Sequence, residues 1–173
     1  MWLVSDARND AGLEAALARL PRGSGLVFRH YHLPPAQRVA RFRALARAAR
    51  GRGVAMAWAG SVREARAVGA DACYGPAELL ARGPGLARLV TAHSLAEIGK
   101  GRQARASALL LSPVFPTRSH PGAPGLGAVR FRLLAARSPV PVLALGGMDA
   151  RRARALRAWG WAAIDGLASS FRA

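Results

Sequence analysis

A chain of 173 residues has the length of a single domain, and its composition of 51% hydrophobic and 20% charged residues is sufficient for a buried core. This balance argues against intrinsic disorder. No apolar run approaches the ~20 residues of a membrane span, and Asp6 interrupts the start where a secretory signal would stay apolar. We therefore expect a cytoplasmic protein without a membrane partner.

The net charge of +17 raises the question of nucleic-acid binding. Only Lys100 among the 26 basic residues is a lysine, which is typical of a GC-rich coding bias. Arginines lie opposite an apolar series at helical spacing and predict a solvated helix face. These arginines are Arg38, Arg41, Arg47 and Arg50. We expect no specific nucleic-acid partner, only nonspecific binding to polyanions at low salt.

A single cysteine, Cys73, excludes an internal disulfide and a cysteine-based zinc cage. The fold must therefore be held together by packing.

Eight short apolar runs alternate with helical segments rich in alanine and arginine. The predicted strands are Trp2–Ser5, Gly25–Arg29, Val54–Trp58, Ala72–Tyr74, Ala87–Thr91, Ala108–Ser112, Pro141–Leu145 and Ala162–Asp165. The predicted helices span residues 11–19, 35–50, 61–68, 77–81, 95–105, 127–136 and 150–158. This alternation predicts a compact (β/α)₈ TIM barrel that occupies residues 1–173 as one domain.

Only Gly166–Ala173 follow the last predicted strand, so we expect the final helix of the barrel to be largely missing. An open, doubly wound sheet is the structural alternative. No G-x-G-x-x-G motif follows the first strand, which disfavours the dinucleotide-binding version of that sheet.

Polar residues are predicted at the C-terminal ends of the strands, where barrels of this type place their active sites. They are Ser5, Asp6, Arg29, His30, Tyr31, His32, Ser61, Tyr74, His93, Ser94, Thr117, Arg118, Ser119, His120 and Asp165. All four histidines fall on this face. For Asp165, pairing with a nearby arginine is the expected role.

Two segments are more than plain connectors, and the second of them contributes to a predicted phosphate site after strands seven and eight. Residues 112–127 form a long loop after the sixth strand, and LGGMD at 145–149 ends the seventh. Backbone amides after the last two strands of a barrel often bind phosphate. The expected donors are Gly146, Gly147, Gly166 and Ala168. The alternative is that these glycines only make tight turns.

Histidine offers two further kinds of site. His93 ends the fifth strand, and its imidazole would serve as a general acid or base near neutral pH; the alternative is a structural histidine. His30 and His32 have the i, i+2 spacing of a metal-binding pair that shares one strand face. No carboxylate or cysteine lies beside them in the sequence, so the sequence predicts no metal site.

Four segments together resemble the thiamine phosphate synthases and the related thiazole tautomerases, which are (β/α)₈ barrels. SPVFPTRSH at 112–120 is similar to the family's G-P-V-F-x-T-x-S/T-K segment. WLVSD at 2–6 resembles Y-L-I/V-T-D, VTAHSLAEI at 90–98 resembles the S-x-H-S/T segment, and LALGGM at 143–148 resembles A-I/L-G-G-I/V. The resemblance covers nearly the whole chain.

This resemblance implies a phosphorylated thiazole as ligand, together with a pyrimidine diphosphate in a synthase. It implies that Arg29 contacts diphosphate and that Thr117, Ser119 and His120 line the ligand site from the loop after the sixth strand. It also implies that Gly146 and Gly147 bind phosphate. His93 matches the residue proposed to transfer a proton in the tautomerase.

The sequence also departs from the synthase pattern. Val27 and Tyr31 replace a glutamine and a lysine of strand two, and His120 replaces a lysine. Ala59 and Gly60 stand where the family has Asn-Asp. After strand four, Glu78 does not occupy the position of the aspartate that serves magnesium.

Three functions follow from this pattern: a divergent synthase, a metal-independent tautomerase, or a noncatalytic phosphate-ligand-binding homologue. No cofactor is certain, and magnesium is expected only with a diphosphate ligand.

An apolar surface near the first and last strands is expected to remain uncovered because the final helix is short. Trp159, Trp161 and Phe171 lie in the segments that form it. Such a patch is usually covered by a partner, so we expect a homodimer that uses this surface.

Overall fold

A computed structural model describes residues 1–83, 85–117, 122 and 124–164 of the chain. Eight parallel strands close into a barrel in sequence order. The strands are β1 Trp2–Val4, β2 Gly25–Phe28, β3 Ala55–Ala59, β4 Ala72–Gly75, β5 Ala87–Ala92, β6 Ala108–Leu111, β7 Val142–Leu145 and β8 Gly160–Ala163. The helices are α1 Leu13–Arg19, α2 Pro35–Arg50, α3 Val62–Val68, α4 Ala77–Leu80, α5 Leu95–Gln103, α6 Gly127–Ala135 and α7 Ala150–Leu156.

Pairing between the first and last strands closes the barrel. Trp2 pairs with Ala162 and Leu3 pairs with Ala163, in parallel. An open doubly wound sheet is thereby excluded, and the prediction of a (β/α)₈ barrel is confirmed.

Apolar side chains alternate along each strand between two cores, because successive residues of a strand point to opposite faces. In β2, Val27 belongs to the core inside the barrel, whereas Phe28 belongs to the core between strands and helices. The same alternation places Asp6 and Arg29 at the barrel mouth, which is the opening at the C-terminal ends of the strands. Ser5 and His30 continue the outer series and are buried.

The ends of the strands and helices lie within two residues of their predicted positions, and two of the differences are described below. A 3₁₀ helix at Ala7–Gly12 precedes α1, because Asp6 and Asn9 cap its start reciprocally. The last strand begins at Gly160, two residues earlier than predicted. A Cβ at Gly160 would lie 2.5 Å from a terminal methyl group of Leu143 on β7, so Leu143 packs closely over this glycine.

The basic side of α2 is only partly a solvated face. Arg47 and Arg50 are exposed, as predicted. Arg38 and Arg41 were expected on the same face but are half-buried and bonded: Arg38 binds backbone carbonyls at the barrel rim, and Arg41 binds Asp10. The prediction was wrong for these two residues because long arginine stems carry their charged groups to partners that helical periodicity does not report.

The surface near β8 is described only in part. The side chain of Trp159 is 72% exposed, while Trp161 packs against the outer core. Phe171 and the segment expected to replace a final helix lie outside the described residues. No helix in the described part of the chain has the length and apolarity needed to cross a membrane.

Candidate functional site

A cationic group stands at the barrel mouth after β2. Arg29 is half-buried, and its backbone N–H donates to Ser5 Oγ at 2.8 Å. The hydrogen bond from the Arg8 side chain lowers the pKa of Asp6, and the charge of Arg29 lowers it further. Burial raises the pKa of Tyr74 to about 12, with Arg29 opposing that rise. The charge of Arg29 therefore lowers the pKa of both Asp6 and Tyr74 at the barrel mouth.

A second arginine fixes the rim between β2 and β3. The Arg38 guanidinium lies 3.9 Å from the centroid of the Trp58 ring and 5.0 Å from that of Tyr31. Its Nε donates to the carbonyl oxygen of Arg29 at 3.1 Å, and its Nη2 donates to that of Ala59 at 2.5 Å. Burial lowers the pKa of Arg38. The sequence did not predict this role of Arg38, which lies at the end of the first turn of α2.

His93 lies at the mouth immediately after β5 and is exposed. Its Nδ1 is 2.7 Å from the carbonyl oxygen of Ser112 and 3.4 Å from Ser112 Oγ. Its backbone N–H donates to Glu97 Oε2 at 2.9 Å. The ring is therefore anchored through one nitrogen between β5 and the segment 112–126 that links β6 to α6 (the β6 loop), in an exposed position.

The start of the β6 loop packs on the turn that ends β7. The N–H of Val114 donates to Leu145 O at 2.9 Å, and that of Phe115 donates to Gly146 O at 3.1 Å. A side chain at Gly147 would meet Pro116 O at 2.7 Å. This close approach, together with φ values of +94° and +60°, explains the two glycines at 146 and 147.

The turn at Gly146 and Gly147 also presents backbone donors. Within the described residues, no group accepts a hydrogen bond from either amide. The Arg152 side chain donates to Gly147 O, and its guanidinium lies 5.0 Å from the centroid of the Phe115 ring. Sequence reasoning missed Arg152, which brings a positive charge from α7 to this turn.

Several residues predicted at the mouth have structural roles instead. Ser61 caps α3 with Glu64, and Ser94 caps α5 with Glu97. His30 was expected at the mouth, but its ring is buried on the outer side of the barrel wall. The two serines follow their strands as predicted, whereas the expectation for His30 was wrong because a strand end supplies outward as well as inward side chains.

Of the β6 loop, residues 112–117, 122 and 124–126 are described, and Thr117 is half-buried. Six predicted site residues lie outside the described residues: Arg118, Ser119, His120, Asp165, Gly166 and Ala168.

The donor set at the ends of β3 and β4 does not fit a resident magnesium ion. Hard cations are held chiefly by carboxylates, but Ala59–Gly60 and Gly75–Pro76 stand at these strand ends. The Glu64 carboxylate is used by the Ser61 cap, and Asp6 binds Arg8. The described chain therefore offers magnesium no built site at this rim.

A match to a protein-family profile shows which family the chain belongs to. The sequence profile described as thiamine monophosphate synthase matches residues 1–168. The chain belongs to the thiamine monophosphate synthase family. The family match covers the strand ends and glycine turn described above, and confirms the resemblance found in the sequence. No protein in the curated set matches the chain significantly.

Solved structures of related fold support the architecture of this family member. Thiamine phosphate pyrophosphorylase from Pyrococcus furiosus is 21% identical with a TM-score of 0.80, over 98% of this chain and 90% of that one. The Bacteroides thetaiotaomicron enzyme of the same name is 14% identical with a TM-score of 0.59, over 95% and 81%. The 2-keto-3-deoxy-6-phosphogluconate aldolase of Zymomonas mobilis is 14% identical with a TM-score of 0.62, over 93% and 79%. At these identities the likeness concerns the fold.

Proposed function

We propose that this family member binds a phosphorylated thiazole at the barrel mouth and shifts a proton on it without a metal ion, as a thiazole tautomerase does. The single observation that carries the proposal is the hydrogen-bond partner of His93, which sets the tautomer of its ring. Its Nδ1 faces a carbonyl oxygen, which only accepts hydrogen bonds, so the neutral ring carries its proton on Nδ1. The lone pair of Nε2 is then available to take a proton from a ligand.

The anion of the ligand is assigned to the turn after β7. The amides of Gly146 and Gly147 are the donors, and the positive charge of Arg152 lies beside them. Gly166 and Ala168 are the expected further donors, from the segment that follows β8 in the sequence. Thr117, Ser119 and His120 are the expected contacts from the β6 loop.

The family match favours a second candidate, a synthase that joins a pyrimidine diphosphate to the thiazole phosphate. Arg29 at the mouth is the residue that supports it, since a guanidinium binds phosphate oxygens bidentately. The lack of carboxylates at the described ends of β3 and β4 argues against it. For this candidate we expect magnesium to bind weakly, or only together with the diphosphate.

One experiment separates these functions. The purified protein is incubated with the thiazole phosphate in deuterated buffer, with and without the pyrimidine diphosphate and magnesium, and the products are followed by NMR. A tautomerase exchanges or shifts a proton with the thiazole alone. A synthase forms thiamine phosphate only when both substrates are present. Binding without either reaction identifies a noncatalytic homologue and contradicts both candidates.

A further inference from the structure

Three metal-ligating side chains meet behind the C-terminal end of β2. Asp10 comes from the 3₁₀ helix, and His30 and His32 come from the segment after β2. One ligand atom from each lies within 4.8 Å of the others. The cluster lies on the outer side of the barrel wall, because His30 packs on Phe28 of the outer core. It is separate from the mouth, to which Arg29 and His93 belong.

The His30 ring is held rigidly. Its side chain is 0% exposed and stacks on Phe28, with 4.4 Å between the ring centroids and 9° between the planes. The Nδ1 atom lies 2.8 Å from Ser5 Oγ, which fixes the ring orientation. Metal-binding histidines commonly have such a partner on the nitrogen that does not bind the ion. The backbone of His30 has a φ of +21°, a strained value that persists only where surrounding contacts enforce it.

The second ring nitrogen of His30 is buried without a hydrogen bond. Nε2 lies 2.8 Å from Asp10 Oδ1 in a close ionic contact without hydrogen-bond geometry, and no other described residue provides a partner. Buried polar atoms are nearly always bonded, so an orphaned nitrogen requires an explanation. A metal ion bound to Nε2 and to the Asp10 carboxylate would give this nitrogen a partner.

We propose that Asp10, His30 and His32 bind a divalent transition-metal ion of the zinc class. Two imidazoles and one carboxylate form a donor set that suits such ions, with a fourth position left for water. One carboxylate is too few oxygen ligands for magnesium or calcium. His32 is exposed, so its ring is able to close the remaining distance to the ion.

Arg41 is the group that competes for Asp10. Its Nε donates to Asp10 Oδ1 at 2.8 Å, and its Nη1 also binds Glu14. The contacts described for the Asp10 carboxylate, with Arg41 and with His30, both use Oδ1. The other oxygen therefore remains for the ion. Asp10, Glu14 and Arg41 together carry one net negative charge, which favours a cation.

The test measures metal binding to the whole chain without a histidine tag. Zinc is titrated by calorimetry, and cobalt is added as a spectroscopic probe whose visible absorption reports tetrahedral coordination. We expect one ion per chain in the wild type. His32→Ala removes an exposed ligand and is expected to weaken binding by at least about tenfold. His93→Asn, which changes a histidine at the mouth, is the matched control and is expected to bind zinc as the wild type does.

Circular dichroism of both variants checks that the fold is retained. Failure of the wild type to bind zinc stoichiometrically would overturn the proposal. So would unchanged affinity in His32→Ala, or loss of binding in His93→Asn, which would place the ion at the mouth. The proposed tautomerase function uses none of these three residues, so either proposal is able to fail without the other.

Discussion

The Nδ1 atom of His93 lies 2.7 Å from the carbonyl oxygen of Ser112, across the join between β5 and β6. The contact ties the ring to the start of the β6 loop, which in turn packs on the glycine turn after β7. The proposed base and the proposed anion site are therefore connected through one loop.

His93→Asn is expected to retain the fold and the binding of thiazole phosphate while slowing the proton shift. The expected decrease is on the order of a hundredfold or more, the usual contribution of one acid–base group. Rates followed by NMR and ligand affinity measured by calorimetry separate catalysis from binding. An unchanged rate would show that His93 is structural.

Gly147→Ala is expected to remove anion binding. The new Cβ would lie 2.7 Å from Pro116 O, so the β6 loop must move, and a φ of +60° strains any side chain. The matched control is Gly69→Ala, which has a φ of +74° but open space around the Cβ. We expect the control to lose about 1 kcal/mol of stability and Gly147→Ala to lose at least about 1 kcal/mol more.

Urea unfolding measures these losses, and thermal shift with added phosphate measures binding. A phosphate-dependent rise in Tm should persist in Gly69→Ala and disappear in Gly147→Ala. If both variants respond to phosphate equally, the anion is not bound at this turn.

Tyr74 is expected to make the fold sensitive to alkaline pH. Burial raises its pKa from 10.0 to about 12, so the native state holds the phenol proton more tightly than the unfolded chain does. This stabilisation is fully present below pH ~10 and is lost as the pH rises through about 12. Two pKa units correspond to roughly 3 kcal/mol at most.

The check is urea unfolding of the wild type and Tyr74→Phe between about pH 9 and pH 12, the range set by the tyrosine pKa. The wild type should lose more stability than Tyr74→Phe over that range. Parallel curves for the two proteins would mean that the phenol ionises as readily in the fold as in the unfolded chain.

Arg38→Met is expected to destabilise the protein by about 2 kcal/mol, because methionine keeps an apolar stem but removes the bonds to the Arg29 and Ala59 carbonyls. Arg47→Met on the exposed side of the same helix is the control, with an expected change within about 0.5 kcal/mol. Chemical denaturation compares the two. Equal effects would show that the Arg38 contacts at the rim contribute nothing.

Trp159→Ser is expected to weaken a homodimer built on the surface near β8. The indole is 72% exposed, and burying such a side chain is a common source of association energy. Light scattering at increasing protein concentration gives the oligomeric state. The control is Leu79→Ser, which changes another exposed apolar residue, 44% exposed on α4. A wild type that stays monomeric throughout would contradict the prediction.

The local pattern of the sequence determined the order and type of the elements and the closed barrel. Short apolar runs and capped helices depend on neighbours a few residues apart, so their periodicity is visible in the chain itself. The same reasoning placed His93 beside the β6 loop and the two glycines after β7.

Only the tertiary structure decided which distant side chains meet. No carboxylate stands beside His30 and His32 in the sequence, yet the parallel pairing of β1 with β2 brings Asp10 to them from twenty residues away. Arg38 and Arg152 were not predicted as site residues, because they contact distant segments: Arg38 the carbonyl oxygen of Ala59, and Arg152 the ring of Phe115. Such contacts depend on how the long side chains of separate elements pack together, and hydrophobic periodicity does not predict that packing.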